Sequence, residues 1–279
     1  MHIVWFKRDL RVEDHAPLAD AAAAGRVLAL YIAEPAYWRL PDVSGRQWAP
    51  LAQSLEELDA DLRTLGGRLT IRVGEAVEVF RSIAAETGAV AIHAHAETGN
   101  LWTFARDRAV RAWARAEGVA IHETPLGGVQ RPLRSRNGWA KEWERRAAVP
   151  QIAAPEAPRW AEAETQALPT PLALGLDIPS GTQTGGRRAG LSALGGFLAQ
   201  RGANYHKELS SPLTAYDSCS RLSLHLALGT LSTREVVQAT RARLGELRGD
   251  DAPAAKTWRK ALGAFDARLH WRCHFMQKL

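Results

Sequence analysis

Cysteine is nearly missing from this chain of 279 residues: Cys219 and Cys273 are the only two. Two thiols cannot build a disulfide framework or a four-thiolate zinc site, and such sparse usage points to a reducing, cytoplasmic setting. No apolar run approaches the ~20 residues needed to span a bilayer, so no membrane partner is expected. Charge enters at Lys7-Arg8-Asp9, before the apolar core of a signal peptide could form. No helical-repeat period and no heptad run is present. The signatures GxGxxG and GxxxxGK[ST] are absent as well, which removes the usual dinucleotide-binding and P-loop readings. Lysine is scarce, with six residues against thirty arginines.

What remains is a globular composition with a basic excess. Hydrophobic residues make up 46% and charged residues 24%, which argues against general disorder. The length has room for one large or two ordinary domains. The formal net charge is +6 and the isoelectric point about 9.7. Guanidinium forks suit phosphate and carboxylate, so the charge fits nucleic-acid or nucleotide binding; an arginine-rich proteome would give the same bias. Tryptophan is heavy at ten residues.

Two periodicities alternate over the first 125 residues. Strand-type runs occur at His2–Phe6, Val27–Ala33, Leu69–Val73, Ala89–Ala96 and Val119–His122. Helical patterns lie between them at Pro17–Ala24, Gln47–Leu65, Ala76–Glu86 and Leu101–Ala116. In the second of these, Leu51, Leu55, Leu58 and Leu62 form one apolar stripe. Strands alternating with helices predict an α/β fold with a doubly wound, parallel, five-stranded sheet over residues 1–128. From 129 to 190 the pattern dissolves among Pro132, Pro150, Pro155, Pro158, Pro169, Pro171 and Pro179. This reads as an ordered, irregular interdomain linker holding one short helix, Gly138–Ala148. From 191 to 279 the chain is helical: Leu191–Gln200, Ser232–Leu247, then Ala254 to the end. The last pattern still runs at Leu279 without a cap, so the helical domain is expected to be incomplete.

Three segments could carry chemistry. The turn Lys7-Arg8-Asp9-Leu10-Arg11-Val12-Glu13-Asp14 follows the first strand and packs three cations with three acids. Ligands of open α/β sheets bind beyond the carboxyl ends of strands, near a topological switch point; a salt-bridged surface loop is the plainer alternative. Ser218-Cys219-Ser220-Arg221-Leu222-Ser223 sets hydroxyls and a cation before a helix, suiting either an anion site or ordinary capping. In the last helix, Arg268, Trp271 and Arg272 share one face, suited to phosphate and a stacked base or simply to solvent. Leu262, Phe265, Leu269 and Met276 share another. His270 and His274 flank Cys273 at metal-pair spacing but lack a third ligand, so no metal is expected. His93 and His95 alternate along a strand and face one side.

Together these segments resemble the DNA photolyase/cryptochrome superfamily. Trp5-Phe6-Lys7-Arg8-Asp9-Leu10-Arg11-Val12-Glu13-Asp14 is similar to its opening signature. Ser220-Arg221-Leu222-Ser223-Leu224-His225-Leu226-Ala227-Leu228-Gly229-Thr230-Leu231-Ser232 is similar to its flavin-phosphate motif, and Leu269-His270-Trp271-Arg272-Cys273-His274-Phe275 to the helix that follows. The resemblance implies an antenna-binding α/β domain and a helical domain holding FAD. Photolyases of this family bind DNA containing pyrimidine dimers, flip the dimer out and split it by electron transfer from photoexcited reduced flavin. An antenna chromophore (pterin, deazaflavin or flavin) is implied as a second cofactor, and the protein is expected to be a monomer. A blue-light receptor, or an inert chromophore- or nucleotide-binding α/β module, is the alternative.

The resemblance assigns Tyr205, Cys219, Ser220, Arg221, Leu222, Ser223 and Arg268 to the flavin side. Trp271 and Arg272 go to the dimer and DNA, and Arg8, Asp9 and Arg11 to the antenna or domain interface. Departures stand beside these matches. Cys219 occupies a usual threonine position, Leu224 a usual proline, and Arg268 a frequent glutamate. Family members continue for roughly as many residues again, so the chain is expected to be an N-terminal piece. Leu262, Phe265, Leu269 and Met276 should then be exposed.

Overall fold

A computed structural model describes every residue except Arg131, Pro132, Arg134, Arg136, Pro179 and Leu279. The expected linker prolines Pro132 and Pro179, and the terminal Leu279, therefore lie outside the described residues. The chain divides into two units. Unit 1 comprises Met1–Leu126, Ile152–Gly186 and Leu228–Thr230, and unit 2 the rest, Gly127–Gln151, Arg187–Ala227 and Leu231–Leu279.

Unit 1 is the doubly wound α/β fold. Its strands are β1 (His2–Phe6), β2 (Val27–Ala33), β3 (Leu69–Val73), β4 (Ala91–Ala96) and β5 (Ala120–Pro125). They run parallel in the order β3-β2-β1-β4-β5, with Phe6 beside Tyr31 and Val4 beside His93. The winding direction reverses at β1, which places the switch point between β1 and β4. Strand β2 is buried along all seven residues, as a central parallel strand covered on both faces must be. Helices α1 (Ala16–Ala24), α2 (Pro35–Trp38), α3 (Gly45–Thr64), α4 (Ala76–Thr87) and α5 (Leu101–Ala116) complete the unit. The α3 stripe is wholly buried, Leu51, Leu55, Leu58 and Leu62 each at 4% exposure or less. Burial of one such leucine is worth about 1.5–3 kcal/mol. On one sheet face Ile3, Trp5, Leu30 and Ile92 pack with Phe80, Ile83 and Trp113.

The expected linker divides between the units. Its later part belongs to unit 1, where Trp160 bridges in parallel to Val27 and its indole donates to the Leu65 carbonyl at 2.8 Å. Gly67 makes room for that indole, because a Cβ there would stand 2.3 Å from the ring.

Unit 2 is helical: α6 (Trp139–Ala148), α7 (Arg187–Ala199), α8 (Tyr205–Glu208), α9 (Ala215–Ser218), α10 (Ser223–Leu228), α11 (Thr233–Glu246) and α12 (Pro253–Lys278). Trp139, Trp143, Phe197, Val236, Val237, Leu262, Phe265 and Leu269 form its core. This corrects the expectation of an exposed apolar face on the last helix. Leu262 is 0%, Phe265 4% and Leu269 3% exposed, since α7, α11 and the turn before α8 cover them within the unit, and Met276 is half-buried.

Candidate functional site

The turn after β1 is interior rather than a surface loop: Lys7, Asp9, Arg11 and Asp14 are all buried. Asp9 accepts from the Lys7 amide through Oδ1 and from two imidazoles through Oδ2, His15 Nε2 at 3.0 Å and His95 Nδ1 at 2.7 Å. These donors hold its carboxyl well below the usual range even though burial opposes ionisation. Asp9, His15 and His95 also bring three potential metal-ligand atoms within 4.8 Å of one another. The Leu18 amide, however, donates to His15 Nδ1 at 3.1 Å, so the His15 proton sits on Nε2 and points at Asp9. Hydrogen bonding accounts for the trio without an ion. Arg11 donates to the carbonyls of Gly229 and Asp14. Gly229 has φ +66°, and a Cβ there would lie 2.0 Å from the Arg8 carbonyl oxygen.

Beside this turn a cavity opens at the carboxyl ends of β1, β2 and β4. Trp5, Lys7, Arg8, Tyr31, Glu34, Tyr37, Trp38, Glu97 and Arg106 are among its lining residues. The cavity measures about 60 Å³. Arg106 of α5 organises the acids: it reaches Glu34 Oε2 at 2.7 Å, Glu97 Oε2 at 2.6 Å and Asp107 Oδ1 at 2.8 Å. Its guanidinium also lies 4.7 Å from the centroid of the Trp5 ring. Burial raises Glu34 to about 7, while Arg106, Lys7 and Arg8 hold Glu97 below its usual value despite burial. Arg8 donates to the Tyr37 hydroxyl at 2.6 Å.

Of the residues assigned to antenna or interface, Arg8 therefore lines the cavity, whereas Asp9 and Arg11 brace the turn beneath it. Tyr31, Glu34, Tyr37, Glu97 and Arg106 were missed. Their signal was available, since Glu34 and Glu97 each follow immediately on an apolar strand, where the carboxyl-end rule puts ligand-facing groups.

In unit 2 the flavin-side residues are partly committed elsewhere. Tyr205 is 7% exposed, its ring edge-on to Phe197 and Phe265, and burial raises its hydroxyl pKa. Ser218 donates to the Thr214 carbonyl, and Arg201 clamps the carbonyls of Ala193, Cys219 and Ser220. Leu222 is buried; Cys219 is a half-buried thiol pushed up by burial, a weak donor. Ser220 Oγ accepts from the Leu222 amide at 3.4 Å and keeps its own proton to donate. Arg221, at φ +62°, lies 4.2 Å over the Tyr216 ring. Ser223 opens α10, two residues after Arg221.

On α12, Arg268 stacks 4.7 Å from the Trp271 ring centroid, and Trp271 is half-exposed. Arg272 instead turns inward and donates to the Leu226 carbonyl at 2.9 Å, so the expected shared face loses one guanidinium. His270 packs against Trp139 and Trp143, and His274 against Trp139.

The fold is that of the solved photolyase and cryptochrome structures: a cryptochrome from Synechocystis sp. PCC6803 superposes with TM-score 0.80 at 22% identity, over 99% of this chain and 60% of that one. Residues 2–135 match the DNA photolyase family model. The first half of the chain is thus similar to the DNA photolyase family, and curated relatives and solved structures carry the likeness over nearly its whole length. A deoxyribodipyrimidine photo-lyase of Streptomyces griseus is 29% identical, covering 92% of this chain and 58% of that protein. A cryptochrome DASH of Gloeobacter violaceus is 28% identical, covering 84% and 52%. The chain thus spans little more than half the length of these curated relatives. A Synechococcus protein described as an uncharacterized 31.6 kDa protein is 27% identical and is covered over 97% of its length. Among the described residues no helix is long and apolar enough to cross a membrane.

Proposed function

We propose that this chain belongs to a light-dependent DNA-repair flavoprotein in which unit 1 seats the antenna chromophore and unit 2 supplies the phosphate side of an FAD site. The observation that carries this reading is the unit 1 cavity, walled by Trp5, Tyr37 and Trp38 and floored by the Arg106–Glu34–Glu97 network at the carboxyl ends of the strands. Flat aromatic walls over a few fixed charges suit a heteroaromatic ring. Ser220, Arg221 and Ser223 would meet an FAD phosphate. FAD would supply the photoexcited electron that splits a pyrimidine dimer, and half-exposed Trp271 would meet the damaged DNA. The free thiols Cys219 and Cys273 fit a reducing, cytoplasmic setting.

Near-UV and visible absorption of the purified chain, with mass identification of the released chromophore, tests this reading. Bound chromophore together with salt-dependent binding to dimer-containing DNA is the expected result; a colourless protein indifferent to such DNA refutes it. The second reading, a chromophore-binding module without repair, is favoured by Arg272, which turns inward to the Leu226 carbonyl instead of joining Trp271 on the expected DNA face. It predicts bound chromophore and no preference for damaged DNA.

A further inference from the structure

Helix α1 packs against β1, β4 and β5, and a row of imidazoles crosses these three strands. The parallel register sets Val4 beside His93 and His93 beside His122, and His2 stands on the same face two residues before Val4. His2 Nδ1 lies 3.0 Å from His93 Nε2. The His93 and His122 rings lie 4.7 Å apart between centroids, tilted by 32°. Gly25, just after α1, leaves room for the first ring, because a Cβ there would stand 3.0 Å from His2 Cδ2. None of the three histidines lines the cavity.

Their surroundings differ from those of the Asp9 trio, where the Leu18 amide fixes the His15 tautomer. His93 is 4% exposed, and its Nδ1 has no hydrogen-bond partner among the described residues. No second bond therefore decides which nitrogen carries the proton, so Nε2 can present a bare lone pair toward His2 Nδ1. Both rings are neutral near pH 7: burial, His122 and His2 lower His93 to about 4, and burial with the N-terminal amine lowers His2. Neutral imidazole is the form that binds metal ions. Two ligand nitrogens ~2.0–2.1 Å from one ion stand about 2.9 Å apart at a right angle and about 3.4 Å apart at the tetrahedral angle. The observed 3.0 Å fits the right angle, which copper(II) and nickel(II) prefer. We propose that His2 Nδ1 and His93 Nε2 chelate one copper(II) or nickel(II) ion, with His122 turning in from β5 as a third ligand and water filling the remaining positions. His122 is exposed on the outermost strand, which gives its ring space to turn and the ion a path of entry.

The test titrates the untagged full chain near neutral pH with copper(II) and nickel(II) chloride, followed by calorimetry. One ion should bind per chain. Loss of a hydrogen-bond partner to a metal ligand already costs about 10–100-fold in affinity and loss of a ligand no less, so His93→Gln and His2→Gln should each weaken copper by at least about tenfold. His122→Gln should weaken it several-fold. His274→Gln should leave it unchanged, since that ring packs against Trp139 in unit 2. Zinc, which favours the tetrahedral angle, should bind more weakly than nickel; the reverse order overturns the choice of ion. Undiminished copper binding in His93→Gln overturns the site, because His2 and the N-terminal amine alone would then account for it. If His93→Gln fails to fold by circular dichroism, electron paramagnetic resonance of the wild-type copper form decides. Modulation from the remote nitrogens of at least two imidazoles supports the site, and one imidazole or none overturns it.

Discussion

His15 donates to Asp9 in one direction only, because the Leu18 amide occupies its Nδ1 and leaves the proton on Nε2. A second imidazole, His95, donates to the same oxygen. One buried anion is thus held by two imidazole donors, and burial of His95 opposes its protonation although Asp9 favours it.

Unit 1 should therefore lose stability in mild acid. Burial lowers His95 to about 4, and burial together with His122 and His2 lowers His93 to about 4, against 6.5 for each when unfolded. The unfolded chain then binds more protons between these values, so the contribution is complete above about 6.5 and falls as pH drops toward 4. The urea midpoint should decline from pH 7.5 to pH 5, and His95→Gln should flatten that decline. A pH-independent midpoint would contradict the two lowered histidines.

Replacing Arg106 by Leu should cost about 3–5 kcal/mol, because Glu34, Glu97 and Asp107 would lose their common cation inside unit 1. Chemical denaturation reads this directly. A loss below about 0.5 kcal/mol would mean that the three acids find other partners.

Gly229→Ala should destabilise unit 1 by at least about 1 kcal/mol. The new methyl would need both a left-handed backbone and space held by the Arg8 carbonyl. A melting temperature within a degree of wild type would show that the turn after β1 can shift.

Arg272→Ala should act on stability more than on DNA. Its hydrogen bond to the Leu226 carbonyl is inside unit 2, and losing a charged donor there costs about 1–2 kcal/mol. Trp271→Ala should leave stability within about 0.5 kcal/mol, since the ring is half-exposed. A weakened salt slope for DNA binding in Arg272→Ala with unchanged stability would return Arg272 to the DNA face.

Ser220→Asp should reduce flavin retention by setting like charge against phosphate, read by absorbance of the purified chain. Full retention removes Ser220 from the phosphate contact.

The α/β unit was legible because each burial pattern is local. His2–Phe6, Val27–Ala33 and Leu69–Val73 match the observed strands residue for residue, and Leu101–Ala116 matches its helix. The cavity was less legible. Glu34, Glu97 and Arg106 lie far apart in sequence and converge only when β2, β4 and α5 assemble, so no short window displays them together. The buried leucine and phenylalanine of α12 were misjudged for a related reason. Helical periodicity identifies an apolar face but not what covers it, and here α7, α11 and the turn before α8 cover it.

Unit 1 is threaded through three separate stretches of chain, the last of them Leu228–Thr230. During synthesis its sheet strands emerge within the first 125 residues, yet the carbonyls of Leu228 and Gly229 that receive Leu10 and Arg11 are made more than a hundred residues later. The nascent α/β unit must hold the ends of those bonds open while most of unit 2 leaves the ribosome. Final closure of the first unit is thereby timed by translation of the second, and a gene cut after residue 126 would yield a sheet without its latch.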